Sequence, residues 1–399
     1  MSVTTAAAPR EAEFARGWRA VLACFCVAIF AWGFGFYGQS VYLAELHRLR
    51  GWPTAVIGAA TTVFYLVGAL LVPFVQRVLD RIGARGLLAG GVLILGVGAL
   101  WFANAAAEWQ LFAAGLVLAV GWAGTSTTAI ATTLALWFDR RRGFAISLAL
   151  NGASASGFTV APILVLLSQT IGLRAAVLDT VLVGWAILFP LIFWCARRNG
   201  AAGAAAVRSG ARVGHSAALR DGHFWSVALP FALAIAAQVG FIVHMVAFLL
   251  PLLGRDGTSL AVTCSSALAM VGRLALGTVI DRLPRRGVSA ACFLSQALGL
   301  ALLLAWPGSE AAVYGGIALF GLSVGNVITL PTVIVQAEFP AASFGGIIGL
   351  SGAIGQFALA FAPGLFGVLH DATGGYATVL VICIFLQSSG ALMLFFWRR

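Results

Sequence analysis

The sequence predicts an all-α membrane protein with about twelve transmembrane helices in two pseudo-repeated six-helix bundles. Its 399 residues are 61% hydrophobic and only 9% charged, whereas roughly a quarter of the residues of a soluble domain are charged. Apolar stretches of about 20 residues, long enough for a helix to cross a bilayer, recur along the whole chain. A motif that closes the second stretch also returns at the end of the eighth. Composition, apolar stretches and repeat together indicate this fold.

The apolar stretches are assigned as twelve spans, six on each side of a polar segment. Spans one to six are expected near 18–44, 54–77, 84–105, 109–137, 143–170 and 174–196. Spans seven to twelve are expected near 223–252, 258–280, 287–306, 310–337, 343–369 and 375–397. Tryptophans near many span ends support these boundaries, because indole rings favour the headgroup level of a bilayer.

These spans predict five parts of the chain. They are an N-terminal tail (1–17), an N-terminal six-helix bundle (18–197), a linker (198–222), a C-terminal six-helix bundle (223–397) and a C-terminal end (398–399). The tail holds four charged residues and lacks the short apolar core of a cleaved signal peptide, so we expect the first span to remain in the mature protein.

The arginines predict the orientation of the chain. The net charge is +11, and every basic residue is arginine. Most arginines fall in the tail, the linker and the loops on one side of the spans; Arg48, Arg50, Arg174 and Arg255 lie on the other side. Because cytoplasmic loops are enriched in basic residues, both termini are expected in the cytoplasm of a bacterial cell, with the spans in its inner membrane. This distribution explains the charge without a nucleic-acid partner.

An internal repeat relates the two halves. Asp80-Arg81 and Asp281-Arg282 stand 201 residues apart, and at the same offset Gly124 matches Gly325 and Phe138 matches Phe339. Ala161-Pro162 likewise matches Ala362-Pro363. Spans two, four and five therefore recur as spans eight, ten and eleven. Two parallel halves are the layout of transporters that rock around a central site.

The repeated loops resemble the signature of the major facilitator superfamily, a glycine followed by an aspartate and a cluster of basic residues. The first copy matches at Asp80, Arg81, Gly83 and Arg85, and the second at Asp281, Arg282, Arg285 and Arg286. The resemblance implies a major facilitator fold and a gating role for these eight residues. Charge pairs at helix ends can form in one state and break in the other.

A second, narrower resemblance lies at the junction of spans four and five. Phe138, the basic triplet 140–142, Ala145, Ala149 and Gly152 match the signature of the monocarboxylate transporters and the oxalate/formate exchangers. Trp137, Phe144, Ser147 and Asn151 are substitutions, and the acidic start of the first span in eukaryotic relatives is missing. The chain thus resembles a bacterial member of this group.

Arg273 is the main candidate for substrate binding. It lies eight residues before Asp281, so it should stand about 12 Å inside span eight, close to the middle of a bilayer core of about 30 Å. A charge at that depth needs water or a partner, and a guanidinium suits a carboxylate. The resemblance implies that this arginine binds the substrate carboxylate. The alternative is a structural arginine that extends to the cytoplasmic face.

Other polar or aromatic residues within spans are further candidates for the substrate site. His244 in span seven is a candidate proton carrier or ligand, because histidine titrates near neutral pH. The remaining candidates are Gln39, Tyr42, Trp122, Asn326 and Gln356, with Gln238 and Gln336 also considered. Each has a structural alternative as a hydrogen-bonding contact between helices. Gly33, Gly35 and Gly38 are interpreted as sites where span one bends or packs closely.

The departures from the family pattern bear on the charge of the substrate. Ala269 stands where the monocarboxylate branch has an aspartate, and Gln39 where it has a lysine. The exchangers' second cation, a lysine in span eleven, is absent, and Gln356 is the nearest polar residue. A single intramembrane cation favours a monoanion over a dianion, and it leaves coupling to protons or to an exchanged anion open.

Secondary transport of a small organic anion, a monocarboxylate, is therefore the favoured function, without cofactor or metal and with the chain as a monomer. An efflux transporter for amphipathic or cationic compounds is the first alternative, since aromatic residues occur within the spans. A membrane sensor without transport is the second. No enzyme is expected, because the sequence offers no pair of histidines with a carboxylate and no acid pair within the spans.

Overall fold

The computed structural model describes residues 10–138, 142–195, 219–339 and 344–397, which are helical apart from short turns. The N-terminal half contains α1 (Arg10–Trp32), α2 (Gly38–Arg50), α3 (Thr54–Leu71), α4 (Val75–Asn104), α5 (Glu108–Thr125), α6 (Thr127–Leu134), α7 (Arg142–Phe158), α8 (Val160–Thr170) and α9 (Leu173–Cys195). The C-terminal half contains α10 (Gly222–Val279), α11 (Arg285–Ala305), α12 (Glu310–Glu338), α13 (Phe344–Thr373) and α14 (Ala377–Phe396). Most of the linker, the C-terminal end and the arginines Arg140 and Arg141 lie outside the described residues.

Ten helical stretches in the described residues are long and apolar enough to cross a membrane. Two of them are long enough for two spans each, and each contains a glycine with non-helical backbone, Gly83 (φ 72°) or Gly254 (φ 64°). Glycine adopts a positive φ without steric cost, so the chain reverses at these points. Splitting the two stretches there gives twelve spans and confirms the predicted fold class.

The first span is longer than expected. Its helix runs past the predicted end at residue 44 to Arg50 and stops where Gly51 adopts a left-handed conformation (φ 67°). Glycine in this conformation is a common helix C-cap. The polar residues from Glu45 to Arg50 are therefore a helical extension beyond the apolar stretch.

Spans one, two, four and five are interrupted within the helix, span two by a 3-10 segment from Val72 to Phe74. Span one has a π-helical segment from Gly33 to Tyr37 between α1 and α2. Span four breaks at Ser126, whose side chain accepts a hydrogen bond from Ala129 N and caps α6. Span five breaks at Thr159 between α7 and α8. Such interruptions inside a membrane are tolerated where the freed backbone groups find other partners.

Close glycine contacts and buried amides hold the C-terminal half together. A methyl group on Gly299 would lie 2.5 Å from the carbonyl oxygen of Gly316, so spans nine and ten touch through their backbones. In the interior, Gln296 Nε2 donates to Gln238 Oε1 at 2.7 Å, and Gln387 Nε2 donates to Gln296 Oε1 at 2.6 Å. All three glutamines are fully buried. The three side chains link spans seven, nine and twelve into one unit.

The two halves meet closely at one face of the molecule. This face, which carries Thr54 and Asp371, is called the opposite face, and the face with Arg81 and Arg282 the arginine-rich face. Spans two and eleven pack so tightly here that a methyl group on Gly58 would lie 2.4 Å from the carbonyl oxygen of Pro363. Small residues permit such close approach between helices in lipid.

Hydrogen bonds also cross between the halves at the opposite face. Asp371 Oδ2 accepts from the backbone N–H of Ala55 at 2.8 Å, and Asp371 Oδ1 lies 2.8 Å from the hydroxyl of Thr54. Since the first N–H groups of a helix lack partners within it, the carboxylate from span eleven caps span two. His370 Nδ1 lies 2.9 Å from the same carboxylate. The contact closes the opposite face.

Candidate functional site

A cavity of about 330 Å³ lies between the two halves. The N-terminal half contributes residues of spans one, two and four, and the C-terminal half contributes residues of spans seven, ten and eleven. Its wall consists of Trp32, Phe36, Tyr65, Val72, Trp122, Ser126, Thr127, Thr128, Phe231, Ala232, Ile235, Val239, Val327, Ile328, Pro331, Thr332, Ile348, Ser351, Gly352, Gly355, Gln356 and Leu359. Val72, Thr332 and Ile348 place it toward the arginine-rich face. Its volume is within the range of small-molecule sites.

Aromatic rings form the N-terminal wall of the cavity. The Trp122 indole lies 4.9 Å, between ring centroids, from Trp32 and 5.8 Å from Phe64. Methyl groups on Gly35 or Gly68 would lie 2.6 or 3.1 Å from the indole atoms, so the two glycines make the slot that it fills. The predicted cavity residue Trp122 is thus held in a fixed position.

The π segment of span one supports this wall. Its backbone carbonyls accept side-chain hydrogen bonds, Gly35 O from the Tyr65 hydroxyl at 3.1 Å and Tyr37 O from the Ser40 hydroxyl at 2.7 Å. Gln39 Nε2 donates to Phe34 O at 3.4 Å, and Gln39 Oε1 accepts from the Thr61 hydroxyl at 3.1 Å. Gln39 is fully buried and joins spans one and two, so it is not part of the cavity wall in this conformation.

The polar part of the wall comes from both halves. The break of span four exposes Ser126, Thr127 and Thr128 to the cavity, and Ser351 and Gln356 of span eleven belong to the same wall. No side chain of the described wall carries a charge. A charged group of a ligand therefore needs a partner beside the wall.

Arg273 is half-buried in span eight and is not part of the cavity wall in this conformation. Its Nε donates to the carbonyl oxygen of Gly325 in span ten at 3.2 Å. A methyl group on Gly325 would lie 2.9 Å from this Nε, so the glycine admits the arginine. Among the described residues, no carboxylate lies within 4.0 Å of the guanidinium. The guanidinium therefore retains N–H groups that can donate hydrogen bonds to a ligand.

Two hydroxyl-bearing side chains meet at the seam between the halves. A methyl group on Gly157 would lie 2.1 Å from Ser266 Oγ and 2.8 Å from the Tyr37 ring, so these groups meet where spans one, five and eight cross. Tyr37 and Ser266 are both buried and form a polar contact at this seam.

His244 is fully buried and makes two hydrogen bonds. Its Nε2 lies 3.0 Å from the carbonyl oxygen of Pro363, and its Nδ1 lies 3.2 Å from the Tyr376 hydroxyl. Because a carbonyl oxygen only accepts, Nε2 carries the proton and Nδ1 accepts from Tyr376. In this conformation His244 connects span seven with spans eleven and twelve and is not part of the cavity wall.

The remaining candidates divide between the wall and the helix interior. Gln356 is exposed in the cavity wall. Tyr42 is fully buried against Phe102, and Asn326 donates to the carbonyl oxygen of Leu322 at 3.4 Å. Neither residue is part of the cavity wall in this conformation.

The gating residues of the N-terminal half lie on the arginine-rich face. Asp80 Oδ1 accepts from Gln76 Nε2 at 2.8 Å, and Gly83 forms the reversal described above. Arg81 is exposed, whereas Arg85 is half-buried with its Nε unpaired among the described residues.

In the C-terminal half, Arg286 forms a two-point contact with Glu338, at 2.8 and 2.7 Å, and Arg286 Nη2 also donates to Ser226 Oγ. Arg282 is exposed and Arg285 half-buried; the Asp281 side chain lies outside the described part. The described contacts of Arg286 stay within one half.

Sequence reasoning did not select Phe36, Tyr65, the 126–128 break, Phe231 or Asp371. A signal was available for the break: a serine followed by two threonines in the middle of a span is typical of a helix N-cap. Phe36, Tyr65 and Phe231 lie in apolar stretches, so the sequence does not indicate which side of the helix meets the cavity. Asp371 lies in the loop predicted between spans eleven and twelve, and its partners Thr54 and Ala55 are more than 300 residues away in the chain.

Comparison with known proteins finds a family model and several relatives that match this chain. The family model described as Major Facilitator Superfamily matches residues 21–259. The uncharacterized MFS-type transporter YcxA of Bacillus subtilis is 24% identical over 346 residues, which cover 83% of each chain. Monocarboxylate transporter 13 of Bos taurus is 27% identical over 390 residues, 94% of this chain and 88% of the relative. Monocarboxylate transporter 11 of Homo sapiens is 38% identical over 99 residues, 25% of this chain and 21% of the relative.

Proposed function

Because the chain belongs to the major facilitator superfamily, we propose that it is a secondary transporter that moves a small monocarboxylate across the membrane by alternating access. The cavity between the halves carries this proposal. It lies toward the arginine-rich face, while the Thr54–Asp371 contact closes the opposite face. A central site that reaches one face and is sealed from the other is what rocking of two halves requires.

The orientation follows from the arginines. With the arginine-rich face in the cytoplasm of a bacterial inner membrane, as the positive-inside rule favours, the cavity faces inward. The loops at 80–85 and 281–286 then lie at the cytoplasmic gate. Their present contacts, such as Arg286 with Glu338, are those of a state in which this gate is open.

Arg273 supports an anionic substrate. It is half-buried within span eight and has no carboxylate partner among the described residues. A guanidinium presents a planar set of donors that binds a carboxylate at two points. The relatives named as monocarboxylate transporters agree with this class of substrate. The carboxylate would meet Arg273 once the halves move relative to one another.

His244 is the proposed proton carrier. It is buried, with a carbonyl oxygen beside one ring nitrogen and a hydroxyl beside the other. Transport of a proton requires that span eleven moves away from span seven in another state and frees one ring nitrogen. The contact with Pro363, where span eleven can bend, offers such a movement.

Efflux of amphipathic cations is the second candidate function. The uncharged, aromatic cavity wall favours it, because aromatic faces attract cations. The two functions differ in the ligand charge and in the role of Arg273, since a cation is repelled by the guanidinium.

Ligand binding to the protein in lipid nanodiscs tests the proposal. We expect lactate or a related monocarboxylate to bind the parent, and Arg273→Lys to weaken binding by about tenfold or more through loss of the two-point contact. Arg255→Lys is the matched control, because Arg255 is an exposed arginine that pairs with Asp256. If the parent and Arg273→Lys bind the monocarboxylate with equal affinity, Arg273 does not bind the carboxylate. If only cations bind, the protein is instead an efflux transporter for amphipathic cations.

A further inference from the structure

We propose that the substrate carries a ring-sized apolar group, which packs on the aromatic wall of the N-terminal half while its carboxylate pairs with Arg273 of the C-terminal half. This inference rests on the proposed function and narrows its substrate class. It predicts a preference for aromatic or similarly bulky monocarboxylates over acids of two or three carbons.

The size of the cavity favours a bulky substrate. Its volume of about 330 Å³ lies at the lower end of the range for drug-sized ligands. An acid of two or three carbons would fill a small part of it and leave apolar walls in contact with water. A ring attached to such an acid fills the remaining space and removes those walls from water.

The aromatic wall is built as a rigid surface. Trp122 is only 8% exposed and is fixed between Gly35 and Gly68. The Tyr65 hydroxyl is tied to the π segment at Gly35 O, which orients the ring of Tyr65. Phe36 follows Gly35 in the same segment and belongs to the same wall. Rings held in place in this way bind a further ring with little loss of side-chain freedom.

The internal repeat shows that the two halves differ in chemistry at matching positions. At the offset of 201 residues, Tyr65 corresponds to Ser266 and Val72 corresponds to Arg273. Trp122 likewise corresponds to Ser323. The N-terminal half offers aromatic and apolar groups where the C-terminal half offers hydroxyls and a cation. A ligand that matches both halves has an apolar end and an anionic end.

This arrangement makes the ligand a bridge between the halves. The ring contacts spans one, two and four, and the carboxylate contacts span eight. A ligand with only one of these groups binds one half and does not stabilise the approach of the halves. A ligand with both groups favours the state in which both contacts form. The cavity wall itself holds no charge, because Arg273 is not among its residues in this conformation.

Binding of matched ligands to the protein in nanodiscs tests the inference. The ligands are lactate, 3-phenyllactate, its uncharged amide and the phenethylammonium cation, measured by calorimetry. We expect 3-phenyllactate to bind about tenfold or more tightly than lactate, as a well-packed ring contact predicts. Trp122→Leu and Phe36→Leu should reduce that ratio, whereas Trp109→Leu, which changes a tryptophan that is 64% exposed, should leave it unchanged.

The outcomes separate this inference from the proposed function. If lactate binds as tightly as 3-phenyllactate, or if both wall variants keep the parent ratio, the ring preference is wrong while an anion transporter remains. If the amide or the cation binds as tightly as 3-phenyllactate, the carboxylate role is wrong while the aromatic wall remains a binding surface. The expected pattern requires both the ring and the negative charge.

Discussion

Asp371, at the end of span eleven, lies 2.8 Å from the hydroxyl of Thr54, which begins span two 317 residues earlier in the chain. The second carboxylate oxygen accepts from the backbone of Ala55. The contact joins the two halves at the face away from the cavity. It also caps a helix, so the closure of this face depends on a defined carboxylate rather than on apolar packing alone.

Loss of this cap should favour the state that is open at the opposite face. We expect Asp371→Ala to weaken the seal by about 1 kcal/mol, the usual cost of losing a helix cap, which lowers the ratio of closed to open molecules by about fivefold. Distances between spin labels placed at the exposed positions Leu49 and Thr373 report the shift. Asp256→Ala, at an exposed residue that pairs with neighbouring Arg255, should leave the distances unchanged, and an equal shift in this control would contradict the assignment.

Placement of Arg273 should depend on Gly325. In Gly325→Ala the added methyl group would lie 2.6 Å from Ala269 O and 2.9 Å from Arg273 Nε. The guanidinium must move, so we expect about tenfold weaker binding of the monocarboxylate, the loss of one charge-assisted contact. Calorimetry with the parent's best ligand measures it. The matched control is Gly315→Ala in the same helix, where no atom lies within 4 Å of the new methyl; a parallel loss there would indicate a general helix effect.

Stability of the C-terminal half should depend on Gln296. Gln296→Leu leaves the buried Gln238 Oε1 without its donor, while Gln387 Nε2 keeps the carbonyl oxygen of Ala234 as an acceptor. One unpaired buried group costs about 1 to 3 kcal/mol, so we expect a loss of about that size in the free energy of unfolding. Denaturant unfolding in detergent measures it. Gln336→Leu changes an exposed glutamine and should have little effect; equal stability of the two variants would show that the glutamine chain is dispensable.

Proton coupling should depend on His244. In His244→Gln the amide can still bond to Pro363 and Tyr376, but it does not titrate. We expect exchange of labelled substrate across proteoliposomes to continue, while uptake driven by an inward proton gradient falls toward the passive rate. Tyr376→Phe keeps the titrating ring and should retain gradient-driven uptake. Undiminished gradient-driven uptake by His244→Gln would assign the proton to another group.

The sequence predicted the spans because each apolar stretch has the length that a bilayer requires. It could not predict the break at Ser126 from hydropathy, since Ser126 and the two threonines after it lie in a stretch that stays apolar on average. The loops predicted between spans two and three and between spans seven and eight contain the reversals at Gly83 and Gly254. The helix on each side nevertheless continues up to the glycine.

The candidate site was harder to predict. Trp122 and Gln356 belong to the cavity wall, while Gln39 and Tyr42 are buried within the N-terminal half. In a membrane protein the lipid side and the cavity side of a helix are both apolar, so the pattern that identifies the core side of a soluble helix is missing. Contacts between distant residues decide which side of a span meets the partner half. One such contact, Gly58 with Pro363, joins residues about 300 positions apart.

The pairing of Val72 with Arg273 across the repeat bears on how the protein arose. An ancestor assembled from two identical halves would have presented the same side chain from both sides of the seam, either two cations or none. Such a symmetric site suits a ligand with two equal ends. The proposed monocarboxylate has one charged end, so its recognition by Arg273 requires that the duplicated halves have diverged at this pair.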